Sequence, residues 1–137
     1  MSKVVETLIR KESNGTLSFG DFTLAEKKKV SDFNFGGDVY KVKTFNEITK
    51  LECNEMFVYE SVPGTAVFNF VKNDKEVTFS VIAKEDAQIT LELEENADYE
   101  VMISGADSGK ISTGLGGKLS FSVESDGEEK QVKVVRK

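Results

Sequence analysis

Histidine and tryptophan are absent from this chain of 137 residues, and cysteine, proline and arginine are nearly so, with one, one and two copies. Without His there is no imidazole base, no Ser-His dyad and no His-ligated metal. Cys53 stands alone and cannot close an internal disulfide, which excludes the small secreted disulfide scaffolds. No apolar run approaches the roughly 20 residues that span a bilayer, so no membrane partner is expected. Met1 to Lys11 carries neither the apolar stretch nor the small-residue cleavage site of a secretory signal. The expected address is therefore the cytoplasm, with export by another route left open. Basic residues are outnumbered, 18 against 24, for a formal charge of -6. That balance argues against nucleic acid as a partner, because phosphate affinity needs clustered Lys and Arg.

What the chain does have is alternation. Leu119, Phe121 and Val123 interleave with Lys118, Ser120 and Ser122. Ile89, Leu91 and Leu93 interleave with Thr90, Glu92 and Glu94, and the same pattern runs through Tyr99, Val101, Ile103 and through Val77, Phe79, Val81. A period of two closed by Gly, Asn or Asp predicts strands of an all-β antiparallel fold, whose apolar faces close on each other as a β-sandwich. The breaks imply about ten strands. Asn14-Gly15 and Gly36-Gly37 read as hairpin turns, Pro63-Gly64 as the centre of a type II turn, and Asn73-Asp74, Gly116-Gly117 and Asp126-Gly127 as further bends. Helix is expected in two places at most. Val4, Val5, Leu8 and Ile9 fit a helical stripe as well as a strand over residues 3–11, and Leu24 to Lys29 could form one helical turn.

The length suits one domain over 1–137, with a soft internal boundary near 73–76 between an aromatic-rich first half and a more aliphatic second half. Leu93, Tyr99, Val101 and Gly105 resemble the tyrosine corner of fibronectin type III and immunoglobulin-like sandwiches. In that motif the tyrosine hydroxyl folds back on upstream backbone at a crossover between sheets. On this reading the second half is immunoglobulin-like and is completed by strands from the first.

Chemistry is sparse. Carboxylates are the plentiful acid-base groups, with Glu60, Asp74, Glu85, Asp86 and Asp98 at loops or strand ends. Acid-base work needs two of them facing across a cleft, one with a raised pKa. Eight acids and no Lys or Arg lie between Glu85 and Gly109, yet no Asp-x-Asp-x-Asp-Gly loop is present, so no metal is expected. Gly105 to Lys110 and Gly114 to Lys118 are not phosphate loops, because Ile111 follows Lys110 where Ser or Thr and a helix are required. These glycines are expected at a turn and a close strand crossing. Cys53 lies beside Asn54 and Glu55 with no His in the chain to deprotonate it. No cofactor and no catalytic residue is assigned.

Ten of the thirteen aromatics are Phe. Phe33 with Phe35 and Phe68 with Phe70 are spaced as inward-facing pairs, whereas Phe57 and Tyr59 are the best outward candidates if Met56 and Val58 make the core face. With Tyr40 they form the candidate ligand-binding cluster, of a kind on which sugars stack.

Tyr40 to Glu52, Phe57 to Val67, Glu85 to Thr90 and Gly116 to Ser120 resemble a group of small proteins from anaerobic clostridia and relatives that carry the name endosialidase. The resemblance covers nearly the whole chain and implies a glycan as ligand or substrate. Sialidases grip the substrate carboxylate with three arginines. This chain has only Arg10 and Arg136, and it lacks a Ser-x-Asp-x-Gly-x-Thr-Trp box, so no catalytic residue carries over.

The expectation is a non-enzymatic structural or interaction module that forms homo-oligomers through sheet edges or through complementary charged faces. Lys27, Lys28 and Lys29 would supply one face and Glu92, Glu94 and Glu100 the other. The alternatives are a glycan-binding accessory domain and a carboxylate-dependent glycoside hydrolase.

Overall fold

Alternating apolar residues become thirteen strands among the described residues, 4–125 and 127–137, of this computed structural model. In chain order they are β1 (Ile9–Lys11), β2 (Leu17–Phe19), β3 (Lys28–Phe35), β4 (Asp38–Phe45), β5 (Ile48–Cys53), β6 (Met56–Val62) and β7 (Thr65–Lys72). There follow β8 (Glu76–Ala83), β9 (Ala87–Glu92), β10 (Asp98–Ile103), β11 (Ala106–Ser112), β12 (Lys118–Val123) and β13 (Lys130–Arg136). One sheet has seven strands in the order β1-β2-β7-β8-β13-β10-β11, the other six in the order β12-β9-β6-β5-β4-β3. Each pairing is antiparallel. The sheets pack face to face as the expected β-sandwich.

Thirteen strands form against about ten expected. β1 and β2 are the arms of the expected Asn14-Gly15 hairpin, three residues each. β11 occupies the Gly105 to Lys110 stretch expected as a turn: Ser104 and Gly105, at φ +52° and +83°, make the hairpin, and the chain then pairs with β10 on both sides of an irregularity at Gly109.

Neither helix forms. Leu8 takes φ +74°, which breaks any helical run before β1, and bends at Ala25 and Glu26 lead straight into β3. The type II turn at Pro63-Gly64 is also not what forms, because the Val62–Pro63 peptide is cis and Gly64 does not have positive φ. Gly64 is there for space instead: a Cβ on it would strike the Phe45 carbonyl oxygen. Asn14-Gly15 and Gly36-Gly37 do turn hairpins, the latter with both glycines at positive φ. Of the bend expected at Asp126-Gly127, Asp126 lies outside the described residues, as does Lys3 of the 3–11 segment.

The 73–76 boundary falls in the hairpin between β7 and β8, which pair along most of their length. Both sheets take strands from both halves of the chain. Where β9 leaves one sheet and β10 enters the other, the Glu94 backbone N–H donates to the Tyr99 hydroxyl at 3.1 Å, and Tyr99 is buried.

The core holds an aromatic cluster. Tyr59 meets Phe19 edge to face with centroids 5.2 Å apart and Phe79 at 5.7 Å, while Phe70 lies 5.7 Å from both phenylalanines. Leu51, Ile89, Leu91, Leu119, Val101 and Val134 extend the core toward the opposite side.

A chain of buried hydroxyls also bridges the sheets. Thr44 and Thr49 Oγ1 lie 2.8 Å apart, Thr49 donates to the Thr65 carbonyl, and Thr65 Oγ1 sits 2.8 Å from both the Tyr59 hydroxyl and Ser61 Oγ. These hydroxyls satisfy one another, which makes their burial tolerable.

Candidate interaction surface

Tyr59 is corrected from surface to core. It is 0% exposed, and burial pushes its phenol above the ordinary range against the smaller opposing effect of its Thr65 and Ser61 hydrogen bonds. The reason is a register shift: Leu51 faces Tyr59, but the next residue of β5, Glu52, faces Phe57. The bulge at Val58 turns both Val58 and Tyr59 inward, so the expected alternation holds at Phe57 and Val58 and reverses from Tyr59 on, while Met56 at the start of β6 is exposed. A second bulge corrects the Phe68 and Phe70 pair. Asn69 at φ +57° interrupts β7, so Phe70 enters the core while Phe68 lies outside it, with the Arg10 guanidinium 5.8 Å from its ring.

Phe57 stays half-buried on the outer face of the six-stranded sheet, where Lys118 Nζ sits 3.6 Å from the ring centroid and Lys50 Nζ 5.8 Å. Tyr40 is half-buried and meets Phe35 edge to face at 6.0 Å. Burial first, then Cys53 and Asp38, push its phenol up. A groove of about 660 Å³ beside Tyr40 is lined by Asp32, Lys41, Glu52 and Asn54, and another of about 380 Å³ by Phe35, Cys53 and Phe70. Neither includes Phe57 or Tyr59, so the three residues of the expected cluster do not converge.

The carboxylates are dispersed. Glu60 faces outward from β6, Asp74 lies in the β7–β8 turn, and Asp86 accepts from the Ser125 N–H at 2.8 Å. Glu85 shares a groove of about 510 Å³ with Glu47, both exposed. Asp98 is shifted the wrong way for an acid: the Ser112 hydroxyl, then Lys110, holds it below the ordinary carboxylate range. Among the described residues no three His, Cys, Asp or Glu side chains cluster as a metal site, and no helix is long and apolar enough to cross a membrane.

The charged faces are also separated. Lys27 precedes β3, and Lys28 and Lys29 open it, all exposed. Glu92 ends β9 in the six-stranded sheet and pairs with Lys118 at 3.9 Å, whereas Glu100 belongs to β10 in the other sheet and pairs with Lys137 at 3.4 Å. Glu94 is exposed in the connection between them. The acids therefore do not present one face to a basic strip.

What the sandwich does present is strand edges, the rows of unpaired backbone N–H and C=O groups at the ends of each sheet. The two sheets end in β1 and β11, and in β12 and β3. Three of these edges are blunted. β1 has three residues. β3 is bulged between Val30 and Phe33, with Asp32 at φ +58°. β11 faces a register shift in β10 and holds Gly109 at φ +106°. β12 has none of these devices. All six of its residues pair with β9 in unbroken register, and Lys118 is its one charged side chain. The sequence shows β12 as a strand but gives no sign that it lies at an edge, since that depends on where β9 and β13 are inserted.

Comparison of the chain with protein families, curated proteins and solved structures finds no match.

Proposed function

We propose that this chain is a non-enzymatic interaction module that self-associates through its open sheet edges. The observation that carries the reading is that, among the described residues, neither sheet closes on itself, so each ends in two edge strands. The dispersal of the carboxylates and the absence of His support it from the chemical side. Edge pairing is favoured over charged faces because Glu92 and Glu100 already pair within the chain. Sedimentation equilibrium over a wide concentration range is the test. Masses rising from 15.2 kDa toward a multiple of it are expected, and a constant 15.2 kDa throughout overturns the proposal.

A further inference from the structure

The β12 edge is specific enough to name its partner. In an antiparallel ladder, directly opposed residues alternate between pairs that exchange backbone hydrogen bonds and pairs that do not. Gly117, one step before the Lys118↔Glu92 pair, accepts from the Leu93 N–H at 2.7 Å. Bonding to β9 therefore falls on Gly117, Leu119, Phe121 and Val123. Lys118, Ser120 and Ser122 turn their N–H and C=O groups away from β9, toward the open edge.

We propose that a second copy of this chain occupies that edge, its own β12 pairing antiparallel across a two-fold axis at Phe121; this rests on the self-association proposed above. Opposed residues must share a face, which restricts the axis to a residue position. With Phe121 on the axis, Ser120 faces Ser122 of the second copy, and the two exchange backbone hydrogen bonds through the groups that β9 leaves free. Lys118, which also lies 3.9 Å from Glu92 and 3.6 Å from the Phe57 ring centroid within its own chain, then faces Glu124 of the second copy, and two-fold symmetry repeats that opposite-charge pair. Leu119 faces Val123, and the two Phe121 rings meet on the core side, so the apolar interiors run together. Shifting the axis to Ser120 sets Lys118 against Ser122, and shifting it to Ser122 sets Glu124 against Ser120. Within residues 118–125 only the Phe121 axis pairs opposite charges. Small outward serines at Ser120 and Ser122 put no bulk in the way, and Glu124 is exposed.

Ser122→Pro tests this cleanly, because the N–H it removes points away from β9 and no bond within the chain is lost. Two lost intermolecular bonds are expected to weaken self-association by about 30-fold, with the circular dichroism spectrum unchanged. Glu124→Lys, an exposed change that places like charges opposite each other, is expected to weaken it severalfold and decides the question should the proline variant not fold. If the parent associates and both folded variants associate as tightly, the β12 assignment falls while self-association through another edge stands. A parent that stays monomeric overturns both.

Discussion

Tyr59→Ala is expected to lower the unfolding free energy by about 4 kcal/mol, the scale of an aromatic truncated to a cavity in a packed core. The ring is fully buried between Phe19 and Phe79, so truncation removes both edge-to-face contacts and leaves a cavity in the core. Against a total of about 5–15 kcal/mol for a domain, such a loss brings the chain near its limit. Tyr59→Phe keeps the ring and removes the hydroxyl from its contacts with Thr65 and Ser61, which retain each other, and should cost about 1 kcal/mol.

The same pair of variants reads the phenol's ionisation. Burial raises the folded-state pKa of Tyr59 above its ordinary value of 10.0, so above pH 10 the unfolded chain releases a proton that the folded chain holds. Stability from this group is complete below that pH and declines as pH rises through and beyond it. Tyr59→Phe should therefore lose less stability than the parent between neutral and strongly alkaline solution. Urea midpoints at both pH values measure each effect. A loss under about 1 kcal/mol for Tyr59→Ala would show that the ring is not packed in the core.

Gly20→Ala is the second large effect. Gly20 sits at φ +101°, a region that side chains avoid, and a Cβ there would run into the Thr65 carbonyl oxygen and press on Ala66. Both are backbone atoms of β7 and cannot rotate away. Gly20 is also held from both sides, its N–H donating to Leu8 at 2.9 Å and its C=O accepting from Val5 at 3.0 Å. Strain and overpacking together should cost about 3–5 kcal/mol, visible as a fall in Tm on the order of 10–20 °C. Gly15→Ala is the control. Its φ of +84° is also positive, but nothing lies within 4 Å of the added carbon, so only the conformational cost of about 1 kcal/mol is expected. Equal losses for the two variants would mean that close approach at Gly20 contributes nothing.

Where strands are regular, their faces were legible from the sequence. Val77, Phe79 and Val81 of β8 and Leu119, Phe121 and Val123 of β12 are buried, and the residues between the latter are exposed, as alternation requires. The reading fails at bulges, because one extra residue reverses the parity of the rest of the strand: the bulge at Val58 turns Tyr59 inward and Asn69 separates Phe68 from Phe70. It also fails where a polar residue occupies an inward position. Thr44, Thr49, Ser61 and Thr65 have the right parity for the core but the wrong polarity, and only their mutual hydrogen bonds explain their burial. The β12 surface was half legible. Its strand and its exposed serines can be read from Lys118 to Val123, but its position at an open edge is a property of topology.

Amide hydrogen exchange of β12, compared between dilute and concentrated protein, tests most directly whether the chain works through an unpaired sheet edge. The account predicts that Lys118, Ser120 and Ser122 exchange fast when dilute and become protected on concentration, while Leu119, Phe121 and Val123, bonded to β9, are protected throughout. Exchange at Lys118, Ser120 and Ser122 that stays fast at every concentration would contradict it.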